Sequence, residues 1–102
     1  MTRRYEVRFT EAAREDLLEL HSFLAEHSLD AAEAAIGTIE RALAVLEEFP
    51  WSCRASSAIP RSRFRELIIP FGKRGYVALF EIEGEDVVTI LAVRHQRESD
   101  FH

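Results

Sequence analysis

One cysteine, Cys53, is all that the 102 residues contain. It excludes an internal disulfide, and with no second thiol or histidine near it at metal-ligand spacing it excludes a cysteine-based metal site. Long apolar runs are equally scarce. The longest, residues 87–93 with Thr89 inside it, falls far short of the roughly 18 to 20 residues that span a bilayer as a helix. The opening stretch Met1-Thr2-Arg3-Arg4-Tyr5-Glu6 has two arginines but no apolar segment behind them, so no secretory signal is expected and the expected location is the cytoplasm. Internal repeats, low-complexity tracts and linkers are absent as well. Gly72-Lys73-Arg74-Gly75 is too short for a phosphate loop and lacks the strand-to-helix context. His21, His27 and His102 have no partners at the spacing of a compact metal site except Glu15, Asp16 and Glu19 beside His21, which read as a solvated helix face. No metal or cofactor is expected.

What is present is ordinary globular material. Hydrophobic residues make up 47% and charged residues 30%, enough apolar content to rule out a disordered chain. A chain of this length forms one domain, residues 1–102, and buries roughly two thirds of its unfolded surface. The net charge of −5 is unevenly spread. Residues 1–49 carry five arginines against eleven acids, a balance of −6, while residues 50–102 carry eight basic against seven acidic residues, a balance of +1. If the chain contacts nucleic acid or a nucleic-acid enzyme, the C-terminal half, where positive charge is local, is the expected face, and an acidic chain argues against tight nonspecific RNA binding.

Periodicity divides the chain cleanly. Tyr5, Val7 and Phe9 alternate with Glu6, Arg8 and Thr10, the pattern of a half-buried strand. Thr10 can cap a first helix whose apolar stripe is Ala13, Leu17, Leu20 and Leu24, and which stops near His27-Ser28-Leu29. Asp30 with Glu33 three residues on resembles an acidic capping box for a second helix, lined by Ile36, Ile39, Leu43 and Leu46 with Ala32, Ala35 and Ala42 beside them. Phe49-Pro50 ends it. Residues 50–62 carry serines and prolines without periodicity and read as a long loop. Strands follow at 64–69, closed by Pro70, at 76–82 and at 87–95, joined by the basic turn 71–75 and the acidic hairpin turn 83–86. The last two are apolar on both faces and belong in the middle of a sheet. The order is β-α-α-β-β-β, an α+β fold with a helical hairpin packed on one face of an antiparallel sheet.

This order, together with Phe49-Pro50, Arg63-Phe64-Arg65-Glu66-Leu67, the strand Gly75-Tyr76-Val77-Ala78-Leu79-Phe80-Glu81-Ile82 and the finish Ile90-Leu91-Ala92-Val93-Arg94-His95-Gln96-Arg97, resembles the RelE/ParE toxins along nearly the whole chain. Members of that superfamily poison gyrase or translation until an antitoxin neutralises them. The ribosome-dependent mRNA nucleases of the RelE branch tend to carry a histidine or tyrosine at the extreme end and further basic or acid/base residues on the open sheet face. Here His95 is followed by Gln96, Arg97, Glu98 and Ser99, the tyrosines are Tyr5 and Tyr76, and the loop 50–63 supplies no histidine. The resemblance therefore implies the ParE branch, which needs no catalytic set, inhibits DNA gyrase and is neutralised by a ParD-like antitoxin. The alternatives are a RelE-like mRNA endonuclease and a non-toxic antitoxin-binding remnant.

The residues that follow from this reading are few. Arg94, His95 and Arg97, delivered to the end of the last strand, are the expected target-facing group, with Arg94 and His95 on opposite faces because strand side chains alternate. A nuclease would use Arg65, Arg94 and His95 for phosphate stabilisation and proton transfer. In a purely structural reading, Arg65 and Arg94 pair with Glu66, Glu81 or Asp100. Leu17, Leu24, Ile36 and Leu43 are the expected antitoxin contacts, in a groove beside the helical hairpin. Trp51 reads equally as a partner anchor or as a cap on the core.

Overall fold

The computed structural model describes residues 4–56 and 63–95. Strand β1, Glu6–Phe9, runs into helix α1, Glu11–Ala25, and a tight turn leads to helix α2, Leu29–Ala44. Two short 3-10 turns, Val45–Glu47 and Pro50–Ser52, carry the chain to β2, Arg54–Ala55, and then to the long strands β3, Phe64–Phe71, β4, Arg74–Glu83, and β5, Val87–His95. The helical hairpin packs on a five-stranded sheet of order β1-β5-β4-β3-β2.

Two features correct the sequence expectation at the edges of the sheet. The sheet is mixed, because β1 pairs parallel with β5 (Glu6 opposite Val87, Phe9 opposite Ile90) while every other pairing is antiparallel. The β3-β4-β5 meander returns β5 along β1 in the same direction, and the helical hairpin supplies the crossover that a parallel pair requires. The loop after Pro50 also contains the two-residue strand β2, too short for any periodicity to show. As expected, β4 and β5 are interior strands.

Both helices start on hydroxyl caps. Thr10 Oγ1 accepts the Ala13 N–H at 3.1 Å, as anticipated. The cap of α2 is Ser28, whose Oγ accepts the Ala31 N–H at 3.1 Å, and not Asp30. Asp30 instead lies in the first turn, where a carboxylate meets the positive end of the helix dipole.

The core lies between the hairpin and one sheet face. Ala13, Ala32 and Ala35 are fully buried and let the helices approach closely, while Ile39, Leu46, Phe80 and Ile90 fill the space beneath them. Each of these large side chains contributes about 1.5 to 3 kcal/mol through burial. The β3-β4 connection turns at Gly72, whose φ of 61° favours glycine. Gly75 is required for another reason: a Cβ there would stand 2.2 Å from the Ile69 carbonyl oxygen.

Candidate functional site

The end of β5 is shaped by the edge of the sheet. The β4-β5 register shifts between Leu79 and Phe80, so that Leu79 faces Ala92 but Phe80 faces Ile90, and Leu91 is the extra residue of a bulge. Thr10 N donates to Ile90 O at 3.0 Å, and Thr10 Oγ1 lies 3.1 Å from Ile90 O and 3.3 Å from Leu91 O, which satisfies the bulged carbonyls. Beyond the bulge Val93 and His95 face the helices, while Arg94 starts from the other face and bends round the edge of β5 toward α1. His95 packs edge-on against Tyr76 with ring centroids 5.7 Å apart, and Tyr76 in turn meets Phe71 at 6.0 Å. Burial pushes the Tyr76 phenol above its ordinary pKa. Arg94 is exposed, with Nε 3.6 Å from Asp16 Oδ2 on α1. Arg97, the third member of the expected group, lies outside the described residues.

Arg65 is occupied elsewhere. Its guanidinium carbon stands 4.8 Å from the centre of the Trp51 ring, and its Nη1 donates to the Cys53 carbonyl at 2.5 Å. The Trp51 indole N–H donates to the Tyr5 hydroxyl at 3.0 Å. Trp51 is thus held on two sides while remaining 60% exposed, so it does not cap the core. Burial raises the Cys53 thiol pKa, and the nearby Arg65 charge opposes this in part. Arg65 pairs with Phe80 and His95 with Tyr76, four residues along β4 and on its opposite flank. Their Cα atoms are therefore about 16 Å apart at ~3.4 Å per residue and ~4.8 Å per strand. Arg65 is thus out of reach of Arg94 and His95, and the three form no common site.

The ion pairs differ from those anticipated for the arginines. Glu66 and Glu81, both buried on the sheet face away from the helices, are taken by Arg54 and Arg63: Arg54 Nη2 lies 3.2 Å from Glu66, Ser56 Oγ donates to Glu66 at 3.1 Å, and Arg63 pairs with Glu81. Arg65 and Arg94 use neither, and Asp100 lies outside the described residues. The sequence places Asp16 with Glu15, Glu19 and His21 on a solvated helix face. Its side chain is in fact only 17% exposed. Asp16 follows the buried Ala13 by three residues and precedes Leu20 by four, so a polar residue on the apolar stripe was the signal available for it. No group of three or more metal-ligating side chains occurs among the described residues.

On the hairpin, Leu43 belongs to the core at 3% exposure, and Leu17 and Leu24 pack against that core; Ile36 is half-buried. Leu43 is spent mainly on the core and offers only its rim to the surface. The exposed apolar side chains of the hairpin are others, among them Leu18 at 68% and Phe23 at 62%. Between α2 and β1 runs an open groove of about 220 Å³ lined by Val7, Phe9, Glu40, Leu43, Ala44 and Glu47. Among the described residues strand β1 is the edge of the sheet, so its outward backbone groups lie beside an apolar floor with Glu40 at the rim, Glu47 being paired with Arg4.

Comparison with known proteins places this arrangement. The fold superposes on a solved structure described as the chromosomal ParDE TA system from P. aeruginosa, with a TM-score of 0.75 at 18% identity, over 92% of this chain and 98% of that one. No curated protein sequence matches. The family model described as the ParE toxin of type II toxin-antitoxin system, parDE, matches residues 7–100, and the chain belongs to the ParE toxin family.

Proposed function

We propose that this chain is a ParE-like toxin that inhibits DNA gyrase by direct binding, without catalysis of its own, and that a ParD-like antitoxin neutralises it. The observation that carries this reading is the dispersal of the nuclease candidates. Arg65 is held under Trp51 at one end of the sheet, while His95 packs on Tyr76 at the other and Arg94 is drawn to Asp16 on α1. Phosphoryl-transfer catalysis needs such groups within reach of one phosphate. A binding poison needs only a presented surface, and the exposed Arg94 beside His95 supplies one.

The antitoxin site is the groove between α2 and β1. An extended segment can add to the edge of β1, which no strand among the described residues covers, while alternate apolar side chains enter over Val7, Phe9 and Ala44, and Glu40 favours a basic residue at the rim. The test is induction of the chain in cells, alone and with the antitoxin encoded beside it, with transcripts and chromosomal DNA examined after arrest. Growth arrest with gyrase-dependent DNA breaks, relieved by the antitoxin, supports the reading. Site-specific mRNA cuts on translating ribosomes would replace it with the endonuclease, and growth without arrest would leave a non-toxic antitoxin-binding module.

A further inference from the structure

The last residues of β5 extend past the strand that should support them. β1 pairs with β5 only as far as Phe9 opposite Ile90, yet β5 continues to His95. On that flank the Val93 N–H has no strand to donate to, and an unpaired backbone donor in a partly buried position is costly. Asp16 fills the place. Its Oδ2 accepts the Val93 N–H at 2.9 Å, and the same oxygen stands 3.6 Å from Arg94 Nε. Thr10, the cap of the same helix, treats the Ile90 and Leu91 carbonyls in the same way. The start of α1 thus replaces the continuation of β1, donor by donor and acceptor by acceptor.

We infer that Asp16 is a positioning residue: a carboxylate on α1 that stands in for the missing strand partner of Val93 and thereby fixes the end of β5, with Arg94 and His95, in the geometry presented to the target. The functional half of this inference rests on the target-facing role proposed above for Arg94 and His95; the structural half does not. A hydrogen bond to a charged acceptor sits at the strong end of the protein range. Asp16 is also aimed at the backbone next to Arg94 as well as at its side chain, so losing it releases both.

The experiment compares Asp16→Ala, Asp16→Asn and Arg94→Ala in the full chain by amide hydrogen exchange and by growth arrest on induction. Asp16→Ala should speed exchange at the Val93 amide by roughly ten- to a hundredfold, the range that one hydrogen bond to a charged acceptor corresponds to. The amide of Phe80 in the core should keep its protection, which separates a local release from global unfolding. Growth arrest should weaken in parallel. Asp16→Asn retains an oxygen that accepts the N–H but loses the charge, and should restore both readouts in part. Unchanged Val93 exchange in Asp16→Ala, or an Asp16→Asn variant that rescues neither readout, would overturn the inference. So would full arrest by Asp16→Ala when Arg94→Ala has lost it. Full arrest by Arg94→Ala would instead overturn the target-facing role of this end, and a wild-type chain that does not arrest growth would overturn the proposed function. In both of those cases the exchange arm still decides whether Asp16 holds the strand.

Discussion

The Arg65 guanidinium lies against the face of Trp51, 4.8 Å from the ring centre, and is tied from behind to the Cys53 carbonyl. A residue that a nuclease would place in its catalytic set thus braces the segment between α2 and β2. Arg65→Ala should lower stability by about 1 to 2 kcal/mol, combining a lost charged hydrogen bond with a lost cation–π contact. Trp51 is the single tryptophan, so its fluorescence reports this corner directly. Denaturant melts should show the loss and a shifted native emission, with growth arrest retained at permissive temperature.

Gly75 sets a stricter limit. A Cβ at this position meets the Ile69 carbonyl oxygen at 2.2 Å, backbone that cannot swing aside as a flexible side chain can. Gly75→Ala should cost at least ~2 kcal/mol, in the upper part of the range for single substitutions. Equilibrium unfolding in urea measures it. Gly72→Ala, where nothing stands within 4 Å but φ is positive, should cost about 1 kcal/mol from backbone strain alone.

Alkaline stability follows from Tyr76. Burial raises its folded-state pKa above the ordinary 10.0, so the folded chain binds the phenolic proton more tightly than the unfolded chain does. The associated stability is complete below pH 10 and is lost as pH rises from there through the higher folded-state value. Cys53 adds the same sign of dependence from its ordinary 9.0 upward. Thermal melts between pH 8 and 11 should fall with pH, and Tyr76→Phe should flatten the upper part of that fall.

The groove between α2 and β1 gives a test of antitoxin binding. Ala44 is exposed on its lining, and Ala44→Trp would occupy the space with little effect on the core. Calorimetric titration should show antitoxin affinity reduced by more than about tenfold, as loss of a central contact typically does. The melting temperature of the free chain should hold.

Much of this fold was legible because burial imposes periodicity. The Ala13-Leu17-Leu20-Leu24 stripe, the second stripe through Ile39 and Leu43, and the apolar strands β4 and β5 each declare their element by spacing alone. The parallel pairing of β1 was hidden, since an alternating strand reads the same in either direction. The two-residue β2 was hidden because it has no period. The bulge at Leu91 shifts every later side chain of β5 by one face, and no residue type announces it. The candidate site suffered more. Trp51, Arg65 and Tyr5 meet across long sequence separations, and so do Asp16 and Val93. The stripe through Leu43 shows which residues are apolar and not how much of each the internal core consumes.

The most direct test is made with purified gyrase. Wild-type chain incubated with gyrase, relaxed plasmid and ATP should block supercoiling and accumulate cleaved DNA, and the cognate antitoxin should abolish the effect. The Arg94→Ala, His95→Ala double variant, checked for folding by its melt, should need more than about tenfold higher concentration, as truncation of contact hot spots does. Full supercoiling with no cleaved DNA at any wild-type concentration would contradict the account.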